Sequence, residues 1–174
     1  MKINGYLLFL HPDKQDTYRT VNNFYDYIQQ MRVKTPAQLQ AEGINLEDKM
    51  MDIVEENILL REIAPAVARI NVINYQNKAE IEASLIIVAI VRYKQERGDY
   101  PKNLEDLFAE GFIKELPIDP FSDKPFVYKN TGDDFILYSV GEDFIDNDGE
   151  IYRDDRGRVR MWPNTGDVVF WPVQ

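Results

Sequence analysis

Apolar residues recur every three or four positions through most of residues 17–97, the spacing of an amphipathic helix face. In "TVNNFYDYIQQM" the recurring set is Val21, Phe24, Tyr25 and Ile28. The Pro in "KTPAQ" (34–38) and Gly43 break the pattern. It resumes in "NLEDKMMDIVEENILLREI", where Asn45 is a suitable cap and Leu46, Met50, Ile53, Val54, Ile58 and Leu59 share one side. A third stretch predicts one helix over 65–97, opened by Pro65 in its first turn and closed by Gly98. Such a helix is roughly 48 Å long and calls for something to lie along it.

After Gly98 the grammar changes. "YPKNLEDLFAEGFI" reads as a short Pro-initiated helix, and "ELPIDPFSDKPF" as a turn-rich structural crossing that turns Phe121 and Phe126 inward. Aromatic and β-branched runs bounded by Gly, Asn and Asp then predict strands at 126–130, 135–140, 158–162 and 167–171. The expected fold is α+β: a helical N-terminal half, then a long spine helix packed on a small antiparallel sheet. Residues 1–64 form the helical region and 65–174 the α+β domain. In that domain Leu85, Ile86, Val88, Ala89 and Tyr93 are expected to meet Phe126, Tyr128, Ile136 and Tyr138.

Composition narrows the function classes. Of 174 residues, 44% are hydrophobic, enough for a real core. A formal charge of −10 argues against nucleic-acid partners, which need clustered Lys and Arg. The absence of Cys excludes disulfides, thiol nucleophiles and zinc thiolate sites. The opening "MKINGYLLFLHPDK" holds an apolar run of only Leu7–Leu10, too short for a signal-peptide core, and the longest apolar run, Leu85–Val91, is too short for a bilayer span. "HPDK" matches a co-chaperone tripeptide but lacks room for the preceding helices, so His11 is read as an ordinary residue.

"YSVGEDFIDNDGE" (138–150) concentrates Glu142, Asp143, Asp146, Asp148 and Glu150 with no cation among them. It is open to three readings: a solvated turn, a catalytic carboxylate set, or a socket for a hard cation. Paired-carboxylate hydrolysis needs two carboxyls in divergent environments across a cleft, and nothing here fixes such a pair; no enzymatic activity is expected. Calcium takes six to eight oxygens at flexible geometry. The loop is not an EF-hand, because aligning Gly149 with that motif's Gly puts Phe144 at the first ligand position.

Five features in order from the end of the long helix give this loop a context: Tyr93 with Tyr100-Pro101, a short helix, the "LPIDPF" of 116–121, Pro125 to Tyr128, and "SVGED" (139–143). Over about residues 79–150 the chain resembles the globular part of the major pseudopilin of type II secretion systems. The same tail looks like that of uncharacterised planctomycete-type proteins in which it follows a helical region. The resemblance implies a non-enzymatic structural domain of an extracytoplasmic assembly, in the periplasm or cell envelope, with protein partners or self-assembly through the long helix. It also implies a Ca²⁺ loop with Asp143 at the matching ligand position and Asp167 as the nearest counterpart of the second acidic ligand. Asp146, Asp148 and backbone carbonyls near Ser139 are expected to complete the shell. The alternative is a metal-free acidic interaction module.

Overall fold

The computed structural model describes residues 13–163 and 165–172; the reading of His11 lies outside them. The architecture is α+β. Among the described residues five helices come first: α1 (Lys14–Met31), α2 (Pro36–Ala41), α3 (Leu46–Ile53), α4 (Ile58–Arg97) and α5 (Glu105–Ala109). Five short strands follow, β1 (Ile118–Asp119), β2 (Lys124–Pro125), β3 (Val127–Asn130), β4 (Phe135–Ser139) and β5 (Val168–Trp171). Two compact units divide the chain between Asn74 and Tyr75, and α4 contributes residues to both.

The first unit is helical, and its caps are local. Asp13 accepts the Gln15 and Asp16 N–H groups to open α1. Thr35 and Gln38 form a reciprocal capping box at α2, with Pro36 inside the first turn. Phe24, Met31, Leu39, Leu46, Met50 and Val54 form the core with Ala64 and Ala68 of α4. The stretch expected to continue through 45–63 breaks instead after Ile53. There Asn57 turns its side chain onto the Leu60 N–H, at 3.1 Å, and starts a new helix. Pro65 therefore lies inside α4 rather than at its opening. Its missing N–H removes one ladder bond, while Ala64 and Ala68 on either side are buried.

In the second unit, β3, β4 and β5 form an antiparallel sheet in that order, and β1 pairs with β2 in a separate small hairpin. Val127 opposes Tyr138 across β3 and β4, and Ser139 opposes Val168 across β4 and β5. The core is aromatic. Phe135 stacks on Trp171 and packs against Tyr100 and Tyr128, while Phe121 and Phe126 are both buried, against Trp162 and Phe170. The crossing therefore turns both rings inward as expected. The segment 158–162 is not a strand: Val159 makes one isolated bridge to Arg153, and Val159 and Met161 are exposed. Only Trp162 points inward from it, donating to Glu80 Oε1 at 2.6 Å.

The buried face of α4 is the expected one at Ile86 and Ala89 but not at Leu85 and Val88. Ala79, Ala83, Ile86 and Ile90 are fully buried, whereas Leu85 and Val88 are 61% and 58% exposed. At about 100° per residue the buried four share one arc, and Ile81, Leu85 and Val88 lie on the opposite side. Alanines carry little weight in an apolar pattern, so Leu85 and Val88 draw the expected face away from Ala79 and Ala83. Tyr93 packs on Phe112 at 5.2 Å and is also in the electrostatic neighbourhood of Tyr128 in β3.

Candidate functional site

Two features of the second unit are candidates: the acidic loop and the exposed side of α4. The loop leaves β4 at Gly141, where the backbone has φ +75° and an added Cβ would stand 2.7 Å from the Gly166 carbonyl. That approach admits only glycine. Asp143 then accepts the Ile145 N–H through Oδ1 at 3.1 Å and the Gly166 N–H through Oδ2 at 2.6 Å. Asp146 Oδ1 accepts the Tyr138 hydroxyl at 2.8 Å and the Asp148 N–H at 2.9 Å. Asp167, 3% exposed just before β5, accepts the Asn147 and Gly149 N–H groups, the latter at 2.7 Å. Backbone and phenol donors thus meet the charge of the loop.

The electrostatics follow. Burial pushes the Asp167 carboxyl above its ordinary range; the Gly149 and Asn147 N–H groups oppose that rise, and nearby Asp146 and Asp143 add to it. Burial and the bond to Asp146 push the Tyr138 hydroxyl up to about 12. Asp148 turns away: it has positive φ, its side chain is 94% exposed, and it pairs with Lys129, whose Nζ also donates to the Asp148 carbonyl at 2.7 Å. Lys129 lies over the Tyr138 ring as well.

Of the residues expected to share one cation, the structure brings Asp143, Asp146 and Asp167 into one electrostatic neighbourhood. It does not bring the Asp148 side chain or the Ser139 hydroxyl to it. Ser139 is fully buried and donates its hydroxyl to Asp119 Oδ1 at 2.9 Å. Carboxylates are the right chemistry for calcium, but these oxygens are directed at N–H and O–H donors. Among the described residues no group of three or more His, Asp or Glu side chains is arranged to hold a metal ion. As arranged, the set does not fit a resident cation.

Asp119 is the polar residue that sequence reasoning missed. It is 1% exposed and accepts the Phe121 N–H at 3.0 Å, the Ser139 hydroxyl and the Val140 N–H at 3.4 Å. Burial raises its pKa, and those three bonds oppose the rise. It ties the β1–β2 hairpin to the end of β4. Its signal in the sequence was only that of a turn residue between two prolines. The neighbouring "YP" motif has a similar anchoring role: the Pro101 carbonyl accepts from Tyr128 Oη at 2.8 Å and from Asn130 Nδ2 at 3.0 Å.

The second candidate is a groove of about 420 Å³ beside α4. Ile81, Leu85, Val88 and Ala89 form one wall, and Phe112, Ile113 and Pro117 the other. Glu82, Arg92, Lys114 and Glu115 complete its lining with two charges of each sign. Arg92 and Arg97 both lie over the Phe112 ring, which fixes that wall.

Comparison with protein families, with characterised proteins and with solved structures finds no match to this chain. No helix among the described residues is long and apolar enough to cross a membrane.

Proposed function

We propose that the chain is a non-enzymatic structural and interaction domain that docks a protein partner along the exposed side of α4 and does so without a resident metal. One observation carries this reading: Ile81, Leu85 and Val88 project from the side of the helix opposite its buried face, beside a preformed apolar groove. Burying such a stripe against a partner releases about 25 cal/mol per Å² of apolar surface, and contiguous apolar patches of this kind mark interaction sites. The hydrogen bonding of the loop supports the metal-free form, because a cation would have to displace donors already in place. It also supports the non-enzymatic form, since the buried carboxylates Asp119 and Asp167 are both committed to several donors. The resemblance to the pseudopilin globular part supports an extracytoplasmic assembly as the setting.

The test uses the apolar fluorophore anilinonaphthalene sulfonate with the dilute, folded chain. Saturable binding by the native protein, lost in Leu85→Asp while circular dichroism is unchanged, is the expected result. A native chain that binds no fluorophore, or binding indifferent to Leu85→Asp and Val88→Asp, would overturn the docking surface.

A further inference from the structure

Resting on that docking surface, we infer that its partner is a second copy of this chain, packed antiparallel along α4 about a two-fold axis at Ile87. The charged residues of this helix segment carry the argument. Lys78 and Glu96 stand nine residues to either side of Ile87, Glu80 and Lys94 seven, and Glu82 and Arg92 five. Each symmetric pair is opposite in sign.

In an antiparallel two-fold contact, positions equidistant from the axis face one another and the same flank of each helix meets its counterpart. Lys78 of one copy then faces Glu96 of the other, and Glu82 faces Arg92, each contact occurring twice. By helical spacing of about 100° per residue, Lys78, Glu82 and Glu96 lie on one flank of the Ile81–Leu85–Val88 stripe and Arg92 lies within it, 3.9 Å from Glu96 of its own helix. Glu80 and Lys94 are turned away from the stripe, about 140° and 180° from Leu85, and hold Trp162 Nε1 and the Tyr100 ring within their own copy. A parallel, in-register contact would instead set Lys78 against Lys78 and Glu82 against Glu82.

The stripe supplies the affinity and the charges choose the direction. Val88 and Leu85 sit beside the axis, where the apolar groove of the opposite copy can receive them. The overall charge of −10 repels two copies at long range, but at physiological ionic strength that repulsion is screened beyond about 8 Å. The groove lining itself, with Glu82 and Glu115 against Arg92 and Lys114, is locally neutral.

Sedimentation equilibrium of the full chain, from micromolar to near-millimolar concentration, tests this with charge reversals at exposed positions and at the half-buried Glu82. The wild type is expected to dimerise. Glu82→Arg and Arg92→Glu alone are each expected to weaken the dimer by about tenfold or more, and an equimolar mixture of the two to recover it as a heterodimer. Lys78→Glu and Glu96→Lys form a second, independent pair with the same expectation. A chain that stays monomeric throughout overturns self-pairing, and if it still binds the fluorophore through Leu85 the docking surface stands with a different partner. A dimer indifferent to the single reversals overturns the antiparallel arrangement.

Discussion

Asp167 accepts the Gly149 N–H at 2.7 Å, so the residue that opens the last strand also closes the acidic loop. The same carboxylate holds the Asn147 N–H, and an isolated bridge joins Asp167 to Ile151. Gly149 sits at φ +85° against the Tyr138 ring, with no room to spare for a side chain. A dense carboxylate run is tolerable here because Asp143, Asp146, Asp148 and Asp167 are met by donors from the loop or the strands beside it, and Glu142 by Gln76 of α4.

Removing that acceptor should be costly. Asp167→Ala leaves two part-buried N–H groups without a partner and is expected to destabilise the chain by about 1–3 kcal/mol, measured by urea unfolding. Asp148→Asn, which loses the exposed ion pair with Lys129 but keeps a residue that tolerates the positive φ, should cost under about 1 kcal/mol. Equal effects of the two substitutions would contradict the role given to Asp167.

Stability should rise as the solution is acidified from neutrality toward the carboxylate range. Burial raises the folded pKa of Asp119 and of Asp167 above the ordinary 3.8. The folded state therefore binds these protons more readily than the unfolded chain does. Their contribution is fully present below 3.8 and is lost as pH climbs through the raised values. Asp154 works in the opposite sense, held low chiefly by the Arg158 and Arg156 backbone and the Arg158 side chain, and its contribution is lost only on acidification below 3.8. Melting temperatures at a series of pH values check this: the slope above 3.8 should be reduced in Asp119→Asn and in Asp167→Asn. A wild-type slope unaffected by either substitution would sink the assignment.

The two sides of α4 make neighbouring residues differ sharply. Ile86→Ala, at a fully buried position, should cost about 2–5 kcal/mol, whereas Leu85→Ala, mostly exposed, should stay within about 0.5 kcal/mol in the monomer. Chemical denaturation at low concentration distinguishes them, and similar losses at both positions would place the buried face incorrectly.

What the sequence revealed and what it hid can be traced to particular residues. The α+β class, Asn45 as a cap, the inward Phe121 and Phe126, and the strands at 127–130, 135–139 and 168–171 were all legible, because caps, turn residues and β-branched runs are local signals. The side of α4 that is buried was legible only at Ile86 and Ala89, since Ala79 and Ala83 are weakly apolar and both faces carry large aliphatics. The inward role of Asp119 and the turn of Asp148 toward Lys129 depend on partners 20 and 19 residues away, which no short window contains. The start of α4 at Ile58 was masked by Pro65, a residue that favours a first turn but occurs here within the helix.

The most direct measurement is a thermal melt of the whole chain in millimolar Ca²⁺ and again in chelator. Internal donors satisfy the loop in this account, so the two melting temperatures should coincide, and Asp143→Ala should lower both equally. A cation bound only by the folded chain at a hundredfold excess over its Kd would add about 2.7 kcal/mol, a shift of several degrees. A calcium-dependent rise of that size, abolished by Asp143→Ala, would contradict the metal-free reading and restore Asp143, Asp146 and Asp167 as ligands.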